Sequence, residues 1–159
     1  MDLELVRTRS DAPAATQLAD ELESDLVNRY GPGGGASAPQ RRPEEFTAFL
    51  IALIDDTPVA CGGVCCDGSI AEVHRMYTHP AVRGRGFGRA ILTELERVAA
   101  TVGCAEIRLE TGDRQPEAVA VYERCGYRRI PSYGPFTDNP HSVCFARTLT
   151  RMDDVSDAR

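Results

Sequence analysis

Seven residues near the middle of the chain, Arg83-Gly84-Arg85-Gly86-Phe87-Gly88-Arg89, restrict its fold more than any others. They follow Glu72 to Thr78, which reads as a strand, and lead directly into a helical pattern. Glycines at 84, 86 and 88 strip side chains from the backbone, so its N–H groups can approach a ligand closely. A helix starting there adds unpaired amide donors and the positive end of its dipole. Arg83, Arg85 and Arg89 add fixed positive charge. A strand, a glycine turn and a helix N-terminus in that order form a phosphate cradle.

Spacing excludes two common phosphate loops. A P-loop needs Lys and then Ser or Thr after its last glycine, whereas Gly88 precedes Arg89 and Ala90. A G-x-G-x-x-G fingerprint would need glycine at 89 or 91, which are Arg and Ile. What fits is R-x-x-G-x-G, as Arg83, Gly86 and Gly88, followed by A-x-x-x-Y-x-x-x-G-[FY], as Ala118, Tyr122, Gly126 and Tyr127. On these two motifs the chain resembles the GNAT superfamily of acyl-CoA-dependent N-acyltransferases.

Composition agrees with one globular domain. The chain has 159 residues, 42% hydrophobic and 26% charged, enough for a substantial core. The longest apolar run, Phe46 to Ile54, is half a membrane span at most, and the acidic start Met-Asp-Leu-Glu-Leu does not read as a secretory signal. A cytoplasmic protein is therefore expected, with no membrane partner. Six cysteines show no C-x-x-C spacing and read as reduced structural thiols. The net charge of −6 argues against the alternative that the Arg-Gly stretch contacts RNA.

Along the chain, Leu3 to Thr8 reads as a strand. Ser10-Asp11 and Pro13 start an amphipathic helix whose Leu18, Leu22 and Leu26 recur every four residues up to Tyr30. Residues 31–39, rich in Gly and Pro, break it and read as a mobile loop. Phe46 to Ile54, Val59 to Cys66 and Ser69 to Thr78 read as consecutive strands, with turns at residues 55–58 and at Asp67-Gly68. Ile91, Leu92, Leu95, Val98, Ala99 and Val102 make a helical stripe ended by Gly103. Ala105 to Thr111 is a strand, Pro116 to Cys125 a helix, and Arg128 to Ile130 and Ser142 to Leu149 the last strands. The expected organisation is one domain over 1–149 with a polar tail at 150–159. The resemblance implies an α/β fold with a mixed, mainly antiparallel sheet of about seven strands, the fourth and fifth splayed, flanked by three or four helices. The family's second helix would fall at Gln40 to Phe46, where the sequence leaves little room for it.

The resemblance also implies a site. Acetyl-CoA would be the co-substrate, with no metal. The backbones of Met76, Tyr77 and Thr78 would pair with its pantetheine arm like an added strand. Residues 82–89, with Arg83, Gly84, Arg85, Gly86, Phe87, Gly88 and Arg89, would wrap the pyrophosphate. Gln115 stands where the family often has an asparagine contacting the CoA arm. Tyr122 would be the general acid for the departing thiolate, whose pKa is ~8.5 in water. The attacking amine must lose a proton held with a pKa of ~10.4. Glu72 is the preferred base because family branches place a glutamate there, and His74, on the same strand face, is second. A salt bridge from Glu72 to Arg75 or Arg108 is the plain structural alternative. His79 and His141 show no metal spacing and receive no role.

The implied activity is transfer of acetyl from acetyl-CoA to a primary amine by direct attack in a ternary complex. The rival is an acyl-CoA-binding sensor of the same fold without turnover. The acceptor is not readable, although Tyr133, Phe136 and Asp138 mark a loop that could hold an amine with an apolar body. A homodimer is compatible with the sequence, and no nucleic-acid partner is expected.

Overall fold

The protein is described from a computed structural model, which covers residues 3–33 and 40–150. Most of the glycine-rich loop expected at 31–39 and all but Thr150 of the expected polar tail lie outside the described residues. The elements are strand β1 (Leu3–Thr8), helix α1 (Pro13–Tyr30), β2 (Ala48–Ile54), β3 (Thr57–Asp67), β4 (Ile70–Thr78), α2 (Phe87–Thr101), β5 (Glu106–Gly112), α3 (Pro116–Arg124), β6 (Arg128–Ile130) and β7 (Ser142–Thr148). Where the sequence leaves little room for the family's second helix, Pro43–Glu45 forms a single 3-10 turn. The strands make one seven-stranded sheet in the order β1-β2-β3-β4-β5-β7-β6. Pairing is antiparallel throughout except between β4 and β5, which run parallel.

The hairpin turns differ by one or two residues from the sequence reading. Ile54 pairs with Thr57, so Asp55 and Asp56 alone turn the chain, at φ 47° and 66°. Two left-handed residues match the twist of the strands they join. Thr57 and Pro58 belong to β3, where Pro58 sits at a register shift that spares its missing N–H. The next turn is Gly68-Ser69, not Asp67-Gly68, because Asp67 pairs with Ile70.

Two cores lie on opposite faces of the sheet. On one, Ile91, Leu92, Leu95 and Val98 of α2 and Tyr122 of α3 cover Leu50, Val64, Ala71, Val73, Ile107 and Leu109. On the other, Ala15 and Leu18 of α1 cover Phe49, Ile51, Cys61 and Tyr77. Leu95 is fully buried at the centre of the larger core. Leu95→Ala is therefore expected to cost about 2–5 kcal/mol, read as a lower denaturant midpoint at unchanged m-value.

Two irregularities of β4 shape the rest of the molecule. His74 pairs with Gly63 and Tyr77 with Cys61, so Arg75 and Met76 together oppose Gly62. Arg75 takes φ 58° in this bulge. The alternation of side chains reverses across it: Met76 packs on the same core as Val73, and Tyr77 on the α1 side. Gly62 makes the reversal possible, since a Cβ there would collide with the Met76 sulfur. The second irregularity is a parting. β4 and β5 pair only at Ile70–Glu106, Ala71–Ile107 and Glu72–Arg108. Beyond Glu72 each strand keeps its other neighbour and the two separate.

Candidate active site

The parting opens a cleft of about 1020 Å³. Val73 to Met76 form one wall and Leu109 to Gly112 the other, with Tyr122 behind and Tyr133 and Phe136 at the side. A strand edge normally satisfies its donors and acceptors through a neighbour. The edge of β4 facing the parting has none, so it can take an extended chain of amides as an added strand.

The glycine loop follows the end of β4, the strand that forms one wall, and leads into α2. Gly84 and Gly86 adopt φ 80° and 89°, and a Cβ at either would enter open space. Gly86 is the N-cap of α2, and the first bond of that helix runs from the Ala90 N–H to the Gly86 carbonyl at 3.0 Å. The amides of Phe87, Gly88 and Arg89 precede it and have no intrahelical partner. The Phe87 side chain is buried in the larger core and anchors the helix, leaving its backbone at the loop. Arg85 and Arg89 are exposed. The backbone therefore fits an anion with the dipole of α2 behind it.

Arg83 is used differently from what its place in the motif suggests. Its Nε donates to the Thr78 carbonyl at 2.9 Å, and its other nitrogens lie 3.8 Å from Asp25 and 3.7 Å from Glu117. Arg29 of α1 binds the same two acids and also donates to the Arg114 carbonyl at 2.8 Å. The two arginines and two acids thus tie α1, the glycine loop and the start of α3 together. Gln115 precedes α3, and its side-chain carbonyl accepts from the Gly112 N–H at 3.1 Å, which closes the β5–α3 turn. His79 caps the turn after β4 by accepting from the Ala81 N–H at 3.2 Å.

Tyr122 lines the cleft while its ring packs on Tyr127 and Phe145, each 6.0 Å away centre to centre. Burial pushes its phenol well above the usual tyrosine range, with smaller contributions from Cys125 and Glu110, so it stays protonated. Glu72 stands behind Arg41 and His74, which line the cleft. Its carboxylate lies 3.1 Å from Arg41 and 3.3 Å from His74 Nε2. His74 above all, with Arg41 and Arg108 behind it, holds the Glu72 carboxyl below the usual range against the opposing effect of burial. His74 itself lines the cleft. The cysteines are free thiols. Burial pushes Cys61 up to about 12 and Cys65 and Cys104 up to about 11, away from the thiolate that a nucleophile requires. Among the described residues no group of three or more His, Cys, Asp or Glu gathers as metal ligands, and no helix is long and apolar enough to cross a membrane.

Residues 14–127 match the acetyltransferase (GNAT) family. The chain belongs to that family. A curated relative, the IAA acetyltransferase of Azospirillum brasilense, is 31% identical over 139 residues, spanning 86% of this chain and 91% of the relative. Among solved structures, a Klebsiella pneumoniae protein assigned to the acyl-CoA N-acyltransferases superposes with a TM-score of 0.79 at 24% identity, covering 93% and 98% of the two chains. The paiA N-acetyltransferase of Thermoplasma acidophilum, solved in complex with coenzyme A, gives 0.69 at 16% identity, covering 94% and 100%. At those identities the two structures show a shared GNAT fold.

In this GNAT chain, sequence reasoning passed over Glu110. It lies on β5 beyond the last β4 pair, lines the cleft, and has no ion pair among the described residues. Burial alone raises its carboxyl from 4.5 to about 7. The available signal was its position: an acid on a sheet face covered by α1, with neighbours Glu106 and Arg108 already paired to each other at 2.6 Å. A folded pKa above the unfolded one means that the protonated form is the one the fold favours. That contribution is complete below the unfolded value near 4.5 and is lost as pH rises through about 7. Glu110→Gln should accordingly gain on the order of 1–3 kcal/mol over the parent at pH 8 and almost nothing at pH 4, measured by denaturant unfolding at both.

Proposed function

We propose that the chain is an acetyl-CoA-dependent N-acetyltransferase acting on a primary amine by direct attack in a ternary complex. The observation that carries this is the parting of β4 from β5 after Glu72, with Tyr122 on the wall of the slot and the glycine loop following the end of β4. The backbone of Met76, Tyr77 and Thr78 would hold the pantetheine arm through those groups that face away from β3. The backbone of residues 83–89 would hold the pyrophosphate, while the Arg83 side chain braces the loop. Gln115, already committed at its carbonyl, would offer its amide N–H groups to the arm.

Acetyl transfer forms an N–C bond and breaks a C–S bond. The amine nitrogen attacks the thioester carbon, and a strand amide near Met76 is placed to donate to the developing oxyanion. The thiolate would leave beside the buried Tyr122, and a partly desolvated thiolate is more basic than in water and needs a proton. Tyr122, kept protonated by burial, supplies it.

Two measurements test the proposal. Calorimetry should show acetyl-CoA binding, and a thiol-release assay with a panel of alkylamines, arylalkylamines, amino acids and peptides should show turnover on at least one. Tight binding without turnover on any amine would replace this reading with the acyl-CoA sensor.

A further inference from the structure

Building on the acetyltransfer reading, we propose that Glu110 of β5 is the carboxylate that takes the amine proton, and that Glu72 of β4 is a positioning residue that straps segment 40–46 to the sheet. The two acids face the same side of the sheet but differ in what surrounds them. Glu72 pairs with Arg108 across the last rung before the strands part. Its carboxylate is spent on Arg41 at 3.1 Å, and Arg75 adds a second tie by donating to the Arg41 carbonyl at 3.0 Å. Arg75 also lies over the Phe46 ring at 5.4 Å, so both ends of the segment are clasped to β4. A carboxylate held by Arg41 and His74 has little affinity for a further proton.

Glu110 has the opposite setting. It sits two residues past that rung and borders the open slot. The groups facing it are Tyr30 of α1, Tyr122 of α3, Tyr133 of the β6–β7 loop and Cys144 of β7, whose own acidities its charge suppresses. All four are uncharged near neutrality. Arg108, the nearest cation along the strand, is held by Glu106. His74 and Arg41 share the cleft from the β4 side, and Arg41 is occupied by Glu72. Among the described residues none forms an ion pair with Glu110, and His141, which also lines the cleft, is held by Asp113 at 3.1 Å; what can neutralise Glu110 is a proton or a cation brought in by the substrate. An ammonium group is such a cation, and a carboxyl titrating near neutrality is matched to removing its proton at working pH. An unpaired buried acid is a cost to the fold, and this chemistry supplies a reason for its presence.

The step balances. The ammonium gives one proton to Glu110 and attacks as neutral amine. The C–S bond breaks, sulfur takes the Tyr122 proton, and the second proton shed by the new amide nitrogen restores Tyr122. Glu110 releases its proton to solvent.

The test is kcat/KM against pH for the full chain and its Glu110→Gln, Glu110→Asp and Glu72→Gln variants, on an amine that the parent acetylates, with acetyl-CoA affinity measured alongside. Glu110→Gln should lose roughly 10²–10⁴-fold near pH 7, recover as pH approaches the pKa of the amine, and bind acetyl-CoA as the parent does. Glu110→Asp, which keeps the acid at shorter reach, should fall between the two. Glu72→Gln should keep the shape of the parent profile and raise KM for the amine. An active Glu110→Gln with the parent profile overturns the assignment, as does loss of the low-pH limb in Glu72→Gln alone. A parent that binds acetyl-CoA and acetylates no amine overturns the acetyltransfer reading and this assignment with it.

Discussion

Tyr122→Phe should lower kcat by about 10²–10⁴-fold, the range expected when a positioned proton donor is removed, while acetyl-CoA affinity barely moves. The phenyl ring keeps the contacts to Tyr127 and Phe145. The larger core is therefore preserved and the thermal midpoint should stay close to that of the parent. This separates two roles that coincide in one side chain. Tyr122 is only 6% exposed, as a core residue would be, yet it borders the cleft. A large loss of stability would make its contribution one of packing. Turnover near the parent level would remove the acid role while leaving the family assignment intact. The loss in kcat should also be smaller for acyl donors whose leaving thiol is more acidic, because a stabilised thiolate needs less help from a proton donor.

Gly88→Val should weaken acetyl-CoA binding about 10–100-fold, the equivalent of one charge-assisted hydrogen bond of about 1.5–3 kcal/mol. Position 88 is a cleaner probe than 86. Gly86 sits at φ 89°, so any side chain there strains the backbone as well as filling the cradle. At Gly88 no such φ is required, and a Cβ would lie at an ordinary 3.6 Å from Thr78 Oγ1. The added methyls then compete with the ligand for space at the helix start while the fold is spared. Calorimetry beside a thermal melt distinguishes the outcomes. Unchanged affinity in a folded variant would remove the glycine loop from the cofactor site.

Several parts of the fold were legible because they are local. The stripe Ile91, Leu92, Leu95 and Val98 repeats with the period of a helix, and the same residues are buried in α2. Arg83 to Arg89 combine glycine spacing with a following helix, and Gly86 is the N-cap of that helix. The turns slipped by one or two residues because Asp55-Asp56 and Gly68-Ser69 are chosen by the register of the paired strands. The roles of single charges were harder to read. Glu72 and Glu110 are chemically identical, each two residues from an arginine or a histidine in sequence. What separates them is which rung is the last before β4 and β5 part, and which cations have already been claimed by other acids.

The sequence by itself determined the family, the order of strands and helices, and the placement of the glycine loop and Tyr122, because short-range periodicity and motif spacing specify these directly. Only the tertiary structure decided three further points. The parallel pairing stops at Glu72, the bulge at Arg75 turns Tyr77 toward α1, and Arg83 spends its guanidinium on Asp25 and Glu117. Each depends on groups dozens of residues apart arriving at one place. The physical reason is that burial and charge pairing are properties of surroundings, so the acidity of a carboxyl and the partner of an arginine exist only once the sheet and its helices have assembled.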